Sequence, residues 1–346
     1  MGLFQNRPSN SNIKGVPVWF MRQAGRYHDH YQNIKKNSDF MTMCRNPELA
    51  CEITLGPIAD FKFDAAILFS DLLFPLDHMG LGLSYESGPP TLERHLHTLA
   101  DVEAISLKGE ASEFYSFQSK ACSFLKVKLP ETTTLLGFVG APFTLYTYAV
   151  EGAHKGNLIS SKLGLRDGRF AAFVDKLIEP LITEMSMQAQ GGAEAICLFD
   201  TAAGELDLGD YEKFIVPAIA KVVSQFKALH PDKKIVYYSK FTHLNYLDRL
   251  DGIAIDVLGV DWRHDIGEVL SRFGDRYMIQ GNLDPVHLFL PWEELASKWR
   301  GLWEQVKQSG VSPEKWIVGL GHGVLPGTPQ DNVRKSVELI HREFLY

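Results

Sequence analysis

Cysteine is scarce in this chain, and the segments that mark exported or membrane-spanning proteins are missing. The four cysteines, Cys44, Cys51, Cys122 and Cys197, form no C-x-x-C pair and are too few to crosslink 346 residues. The N-terminus lacks the apolar core of a secretion signal. The longest apolar stretch, residues 65–76, is interrupted by polar residues and is shorter than the roughly 20 residues that span a bilayer. We therefore expect a cytoplasmic protein with reduced cysteines and no membrane partner.

An excess of basic residues is also missing. Lysine and arginine together number 35 against 42 aspartates and glutamates, which gives a formal net charge of -7. Nucleic-acid binding needs a basic surface, so we expect no nucleic-acid partner, although a local basic pocket is compatible with this charge. The composition, 45% hydrophobic and 22% charged, is typical of a folded globular protein. A length of 346 residues accommodates one large α/β domain or two of ordinary size.

Two common signatures of bound cofactors have no match. The chain contains no G-x-G-x-x-G, which argues against a dinucleotide-binding sheet. The pairs His28-x-His30 and His95-x-His97 have no cysteine nearby and no spaced third ligand, so we interpret them as surface histidines. The sequence therefore predicts no metal site.

Short apolar or β-branched runs recur along the chain and alternate with segments of helical periodicity. Eight such alternations favour a (β/α)8 barrel over a doubly wound sheet. We expect a single-domain, somewhat distorted barrel over residues 15–346, with residues 1–14 disordered or loosely attached. The stretch 72–130 is too long for one connection and predicts a helical insertion after the second strand. The predicted strands span residues 16–20, 65–69, 134–139, 195–199, 235–238, 255–260, 277–280 and 316–320.

Barrel enzymes place their chemistry just beyond the C-terminal ends of the strands, and arginines follow the first predicted strand. Arg22 and Arg26 are four residues apart, so one helical turn would bring both guanidinium groups to one face, where each can bind a carboxylate. The alternative is a pair of structural salt bridges. Gly25 between them would be a costly choice in a turn that served only as scaffold, so we favour ligand binding.

Two further polar residues follow strands. Asp71 comes after the apolar run 65–69, so its carboxylate should emerge from a dry core and needs hydrogen-bond donors or a cation. Pairing with Arg22 or Arg26 would satisfy it without any function. His322 lies between glycines after the last strand. It could be a general acid, a carboxylate ligand or a loop histidine without a role.

The order of these pieces is more specific than any one of them, and here the sequence resembles the uroporphyrinogen decarboxylase family. Residues 17–27 (PVWFMRQAGRY) resemble the first signature of that family, and residues 137–152 (GFVGAPFTLYTYAVEG) resemble the second. Supporting matches are FSD at 69–71, QGNLDP at 280–285 and LGHGVLP at 320–326. The resemblance extends over nearly the whole chain from residue 17.

The resemblance implies a distorted (β/α)8 barrel that forms a homodimer with facing clefts and removes CO2 from the four acetate side chains of uroporphyrinogen without a cofactor. It implies that Asp71 accepts hydrogen bonds from the pyrrole N–H groups and that Tyr148 lies near it at the reacting ring. The implied catalytic residues are Asp71, Arg22, Arg26 and Tyr148. The implied substrate-binding residues are Arg22, Gln23, Ala24, Gly25, Arg26, Lys35, Asp71, Tyr148, Thr201 and His322.

This chemistry explains why such residue types are needed. Loss of CO2 leaves two electrons, and protonation of the adjacent pyrrole carbon turns the substrate itself into the electron sink, so no cofactor is required. A fixed carboxylate stabilises the cation that develops. The proton donor stays open among an arginine–carboxylate pair, Tyr148, His322 and a substrate carboxyl group.

Three positions depart from the family pattern and keep other interpretations open. Lys35 stands where an arginine is expected, Thr201 where a serine is expected, and Asp60 where the residue is commonly basic. These departures motivate one alternative, a non-catalytic paralogue that binds a tetrapyrrole. The other alternative is a zinc-dependent, cobalamin-type methyltransferase of the same fold, which would need a His-x-Cys after the fifth strand and a further cysteine near the C-terminus. The chain has no cysteine after Cys197.

Overall fold

The computed structural model describes residues 3–4, 15–86, 88–154 and 156–346. Seven of the strands form one parallel sheet in the order β1-β4-β5-β6-β7-β8-β9, and β2 pairs with β3 in a small antiparallel hairpin. The strands are β1 (Ala65–Ile67), β2 (Leu83–Ser84), β3 (Thr91–Leu92), β4 (Thr134–Gly140), β5 (Ala195–Asp200), β6 (Lys234–Ser239), β7 (Val257–Gly259), β8 (Met278–Leu283) and β9 (Trp316–Leu320).

Helices precede the first strand of the large sheet, fill the connections between its strands and follow its last strand. They are α1 (Asp29–Lys35), α2 (Phe40–Arg45), α3 (Pro47–Phe61), α4 (Phe74–His78), α5 (Leu99–Glu103), α6 (Ala111–Phe114), α7 (Ser116–Lys128), α8 (Pro142–Glu151), α9 (Ile159–Gly164), α10 (Arg169–Gln190), α11 (Leu208–Asp210), α12 (Val216–Leu229), α13 (Leu244–Leu247), α14 (Ile266–Phe273), α15 (Trp292–Gln308) and α16 (Gln330–Glu343). A wider turn at Tyr211–Ile215 joins α11 to α12, and short 3₁₀ turns lie at Ala203–Glu205, Asp248–Leu250, Pro285–Phe289 and Pro313–Lys315. No helix in the described ranges is long and apolar enough to cross a bilayer.

Successive side chains of β5 alternate between two apolar clusters, as the pleat requires. In β5, Cys197 and Phe199 belong to a smaller cluster on one face, whereas Ile196 and Leu198 join the large cluster that packs against the helices. Strands buried on both faces read as continuous apolar runs. This is why most of the strand positions could be predicted.

The segment 17–19 connects the two edges of the sheet. The Trp19 amide donates to the Val318 carbonyl of β9, and the Val18 carbonyl accepts from the Asp64 amide beside β1. The curled parallel sheet is therefore consistent with a TIM-like barrel. The predicted strand 16–20 was wrong as a regular strand, because only a single parallel bridge joins Val18 to Val318. Pro17 has no N–H, and the Val18 N–H is bound by the Asp64 carboxylate at 2.8 Å instead of a neighbouring carbonyl.

The connection between β1 and β4 carries elements of its own. It contains α4, α5, α6 and α7, and also the β2–β3 hairpin, which the sequence analysis did not predict. Of the predicted N-terminal segment 1–14, only Leu3 and Phe4 lie among the described residues. Leu3 is buried, and its amide donates to the Thr134 hydroxyl at 2.7 Å.

Candidate active site

Asp71 lies in the loop that follows β1, and the residue is only 9% exposed. Its Oδ1 accepts from the Leu73 amide at 2.8 Å, and its Oδ2 accepts from the Tyr85 hydroxyl at 2.5 Å. Burial raises the pKa of Asp71, and these hydrogen bonds act in the opposite direction. Within the described part of the chain, Asp71 forms no ion pair, so the structure does not support its pairing with Arg22 or Arg26 as a structural bridge.

The backbone conformation of Arg22 and the space left by a neighbouring glycine set the position of its side chain. Its φ of 60° is in the left-handed region. A Cβ at position 323 would lie 2.3 Å from the Arg22 Cδ, so Gly323 leaves the space that the aliphatic stem occupies. Arg22 and Arg26 are both exposed, and neither guanidinium has an ion-pair partner among the residues that the structure describes. Both groups are therefore available to a ligand.

Tyr148 lies on α8, which starts directly after β4. The Thr144 hydroxyl in the first turn of this helix donates to Asp200 Oδ1 at 2.9 Å and accepts from the Ala202 amide at 3.1 Å, so α8 is fixed against the end of β5. Tyr148 follows one turn later and is half-buried. Burial raises its pKa, the charge of Arg22 lowers it, and the charge of Asp71 raises it. Tyr148 therefore lies within electrostatic range of both charged groups.

His322 follows β9 and stacks on a tyrosine of β6. The ring centroids of Tyr238 and His322 are 5.9 Å apart and the rings are nearly parallel, and the Tyr238 hydroxyl donates to the Gly321 carbonyl at 2.7 Å. Burial lowers the pKa of His322 to about 3, with further lowering by the positive charges of Arg22 and Lys240 and by His154. At neutral pH the ring is uncharged, so it can exchange hydrogen bonds with a ligand but cannot act as an imidazolium.

The other residues implied by the resemblance are spread more widely. The buried Gln23 side chain donates to the Ala65 carbonyl at 2.9 Å, so it holds the arginine loop against β1. Thr201 is half-buried directly after β5, and Lys35 is exposed at the end of α1. No contact in the described ranges joins Lys35 to the other site residues. Ala24 and Gly25 lie half-buried in the loop between the two arginines.

Three further residues lie at the site, Tyr85, Lys240 and Arg263, and the sequence predicted no role for any of them. The charged groups of Lys240 and Arg263 both lie against the aromatic ring of Phe241, at 4.3 and 4.0 Å from its centroid. Burial and the neighbouring charge of Arg263 lower the pKa of Lys240. Both cations follow strands, so position alone could have indicated them. Tyr85 comes from the β2–β3 hairpin, for which no sequence signal was recognised.

Asp60, which departs from the family pattern, has a structural partner. Its carboxylate lies 2.7 Å from Nε2 of His28. His28 is fully buried, so the prediction of a surface histidine at this position was wrong. Burial lowers the pKa of His28, and the hydrogen bond to Asp60 opposes that effect. An acidic residue at this position satisfies a buried ring nitrogen, so the departure is explained by packing.

Comparison with known proteins decides which family this site belongs to. A family profile described as "Uroporphyrinogen decarboxylase (URO-D)" matches residues 4–343. The chain belongs to the uroporphyrinogen decarboxylase family. A curated uroporphyrinogen decarboxylase from Myxococcus xanthus is 35% identical over 329 residues, which cover 94% of this chain and 92% of that protein. One from Gloeobacter violaceus is 36% identical over 328 residues, again covering 94% and 92%.

Solved structures similar to this member of the uroporphyrinogen decarboxylase family establish the fold alone. A methyltransferase from Methanosarcina mazei superposes with a TM-score of 0.73 at 16% identity, covering 94% of each chain. A putative vitamin-B12 independent methionine synthase from Listeria monocytogenes gives a TM-score of 0.57 at 12% identity, covering 97% of this chain and 98% of that one. In the described ranges, no three His, Cys, Asp or Glu side chains come together as a metal site.

Proposed function

We propose that this chain is a carboxy-lyase that converts uroporphyrinogen III to coproporphyrinogen III by removing CO2 from four acetate side chains. The match to the uroporphyrinogen decarboxylase family over residues 4–343 supports the reaction. One structural observation carries the assignment of the site. Among the described residues, the buried Asp71 carboxylate has no cation bound to it and the Arg22 guanidinium has no anion, yet Tyr148 lies within electrostatic range of both. The protonated Tyr148 hydroxyl is thus near both an anion, Asp71, and a cation that is available to a ligand, Arg22.

Each decarboxylation replaces a C–CO2⁻ bond by a C–H bond. Protonation of the pyrrole carbon first makes the ring cationic, and the C–CO2⁻ electron pair then flows into that ring as CO2 leaves, which gives an exocyclic methylene group. A second proton adds to the methylene carbon to complete the methyl group, and the ring carbon releases the first proton, so each cycle consumes one proton. Asp71 would stabilise the cationic ring and accept from pyrrole N–H groups. Preorganised charge of this kind is typically the largest catalytic contribution.

The cations of the site would bind the substrate's carboxylates. Arg22 and Arg26 can each form two parallel hydrogen bonds to a carboxylate, and neutral His322 can add one more. Lys240 extends the positive charge to the end of β6, whereas Arg263 beyond β7 is paired with the buried Asp261 carboxylate at 3.1 Å. Since the protein carries a net charge of -7, a local concentration of cations is needed to attract an octacarboxylate.

Tyr148 is the best-supported candidate for the proton donor near the reacting ring. Its raised pKa keeps the hydroxyl protonated at neutral pH, and it lies within range of both Asp71 and Arg22. His322 is less suited in the free enzyme, because a pKa of about 3 leaves its ring without a proton to spare at neutral pH.

The finer features of the protein belong to the same proposal. They are a single domain over residues 15–346, a barrel in which the segment 17–19 closes the seven-stranded sheet, residues 72–130 as a helical insertion, a cytoplasmic homodimer, and catalysis without a cofactor. The bridge between Gly15 and Leu345 supports the single domain, because it ties the two ends of that range together. The family resemblance supports the homodimer and the absence of a cofactor.

The deciding experiment is anaerobic incubation of the pure protein with uroporphyrinogen, followed by separation of the products by carboxylate number. We expect intermediates with seven, six and five carboxylates and a final product with four, and we expect dialysis against a strong chelator to leave the rate unchanged. Binding without turnover would favour the non-catalytic paralogue. Activity that is lost on chelation and restored by zinc would favour the methyltransferase alternative.

A further inference from the structure

Both oxygens of the Asp71 carboxylate accept hydrogen bonds from the protein. One of the two donors lies in the β2–β3 hairpin and not in the large sheet or the loops that follow its strands. Tyr85 directly follows β2, and its hydroxyl donates to Asp71 Oδ2 at 2.5 Å. The Tyr85 ring packs against Phe40 of α2, with the ring centroids 4.6 Å apart. The Leu73 amide binds the other oxygen at 2.8 Å. The β2–β3 hairpin is thereby connected to the centre of the proposed active site.

The titratable groups around Asp71 come from three helices. Cys44 lies on α2, Tyr148 on α8 and Glu184 on α10, and each is within electrostatic range of the Asp71 charge. Burial raises the pKa of all three, so Cys44 and Tyr148 are uncharged at neutral pH, and Glu184, whose pKa lies well above its usual value, is favoured in the neutral form. Among the described side chains, Tyr85 is thus the group that donates directly to the Asp71 charge.

We propose that Tyr85 is a positioning residue for the decarboxylation: its hydroxyl holds the Asp71 carboxylate charged and in one orientation for the pyrrole N–H groups. This inference rests on the proposed function. An ionised carboxylate has about four acceptor sites, so the two donors of the protein leave acceptor capacity for the substrate. Burial and the charge of Asp71 raise the pKa of Tyr85, which keeps the phenol protonated and acting as a donor.

Removal of this hydroxyl has a consequence that a structural role would not produce. Burial already raises the pKa of Asp71, and the hydrogen bond from Tyr85 is the largest effect that lowers it. Without that bond the carboxyl group takes up a proton at a higher pH. The charged fraction of Asp71 then falls on the acidic side of the pH profile, and activity falls with it.

The test is Tyr85→Phe, which keeps the ring against Phe40 and deletes only the hydroxyl. Near pH 7 we expect kcat to fall roughly tenfold to a hundredfold, as for loss of a hydrogen bond to a charged group. The acidic limb of the kcat profile should move to higher pH, and KM should change less than about threefold. Tyr277→Phe is the matched control, because its hydroxyl contacts the Leu250 carbonyl at the opposite end of the sheet.

A second readout does not depend on turnover. Aspartate carboxyl groups labelled with ¹³C report their own titration by NMR, and the Asp71 signal is the one that disappears in Asp71→Asn. We expect Asp71 to titrate at a higher pH in Tyr85→Phe than in the unmodified protein. An unchanged Asp71 titration, with kcat either intact or reduced equally at every pH, would overturn the proposal. A shifted titration in a protein that never decarboxylates uroporphyrinogen would uphold the role of the hydrogen bond and overturn the proposed function instead.

Discussion

At the scale of single residues, three groups of the proposed site carry charges that have no ion-pair partner in the described structure. Most described arginines are bound to a carboxylate, as Arg300 is to Glu343 at 2.8 Å. Arg22 and Arg26 have no such partner in the described ranges, and Asp71 is buried beside a phenol rather than a cation. A buried carboxylate without a counter-ion is costly unless a ligand completes its surroundings. The unpaired charges of these three groups support the ligand site proposed above.

Replacement of Asp71 tests its charge directly. Asp71→Asn keeps the size of the side chain, removes the anion and places a donor opposite the pyrrole N–H groups. We expect kcat to fall by about 10²–10³, the usual effect of losing one preorganised electrostatic contact. Asp71→Glu keeps the charge but moves it, so it should retain more activity than Asn. Anaerobic turnover of folded variants measures this, and an Asn variant within about threefold of the unmodified enzyme would contradict the mechanism.

Arg22→Met and Arg26→Met test recognition of the substrate. Methionine keeps much of the apolar stem and removes the charge. Because both guanidinium groups are exposed and unpaired within the described residues, the free energy of unfolding should change by no more than about 1 kcal/mol. The affinity for uroporphyrinogen or the turnover should fall sharply. Arg300→Met is the control, since it breaks a surface ion pair on α15 and should leave the kinetics unchanged. A large loss of melting temperature with normal kinetics would indicate structural arginines.

His322 should make the stability of the free protein depend on pH. Its pKa is about 3 in the folded state and 6.5 as an ordinary histidine, so the unfolded chain takes up this proton first as the pH falls below 6.5. The free energy of unfolding should therefore decrease from pH 6.5 toward pH 3, and above pH 6.5 this contribution should be constant. Urea unfolding at about pH 7.5 and about pH 5 measures it. Between these two pH values, the free energy of unfolding of His322→Gln should fall by about 2 kcal/mol less than that of the unmodified protein.

The sequence indicated Arg22, Asp71, Tyr148 and His322 because their positions after strands, or their match to family signatures, do not depend on distant contacts. In the structure, Tyr148 lies within electrostatic range of Arg22 and Asp71, and His322 lies within electrostatic range of Arg22. Tyr85 could not be predicted in this way. Its approach to Asp71 depends on how a hairpin of two-residue strands folds back over the end of β1, and nothing local to Tyr85 encodes that path.

At the scale of secondary structure, α8 depends on a polar anchor in an apolar environment. Asp200 is fully buried, and it accepts from the Thr144 hydroxyl at 2.9 Å and from the Tyr237 hydroxyl at 3.0 Å. Burial raises the pKa of Asp200 to about 6, while the two hydrogen bonds oppose that change. The anchor joins α8 to β5 and β6, so the position of Tyr148 depends on it.

Thr144→Val tests this anchor. Valine has nearly the same shape but leaves the Asp200 carboxylate and the Ala202 amide each without one partner. We expect a loss of about 1–3 kcal/mol in the free energy of unfolding and a fall in kcat, because Tyr148 shifts with the helix. Thr147→Val on the same helix is the matched control, since the buried Thr147 hydroxyl has no hydrogen-bond partner in the described structure. Equal effects of the two substitutions would contradict the anchor.

A strand could be predicted from the sequence where its own residues form a clear apolar run. Seven of the eight predicted strands lie in the sheet because each is an apolar run buried on both faces. The eighth, 16–20, has the same composition, but a side chain replaces a backbone partner at Val18. The β2–β3 hairpin pairs only two residues on each side, which is too short to produce a recognisable alternation.

At the scale of the whole molecule, Asp64 connects three distant parts of the chain. It lies directly before β1, and its carboxylate accepts from the Val18 amide at 2.8 Å and pairs with His341 of α16 at 2.9 Å. Burial acts to raise the pKa of Asp64, but the hydrogen bond and charge of His341 bring it below the usual value. The N-terminal segment, the first strand and the last helix therefore share one carboxylate.

Asp64→Asn should weaken this junction. We expect the free energy of unfolding at neutral pH to fall by about 1–3 kcal/mol, because a charged acceptor becomes neutral and one of its partners loses its bond. Because the Asp64 pKa is lowered in the folded state, this stabilisation exists above the unfolded value of 3.8 and disappears as the pH falls through the folded value. Urea unfolding at about pH 7 and about pH 3 measures the difference. Asp175→Asn, at an exposed ion pair with Lys221, should have little effect.

The contact between the two edges of the sheet also has a consequence during synthesis, because its two sides are made at different times. Val18 and Val318 are separated by 300 residues (318 minus 18), and the Val16 amide bonds to the Phe344 carbonyl at the end of the last helix. At roughly 5–20 residues per second, the ribosome needs about 15–60 s to deliver the partner of Val18. Throughout that interval the apolar segment at residues 16–20 has no partner in β9. Until β9 is made, the hydrogen bonds that this segment can form within the sheet are those with Asp64 beside β1.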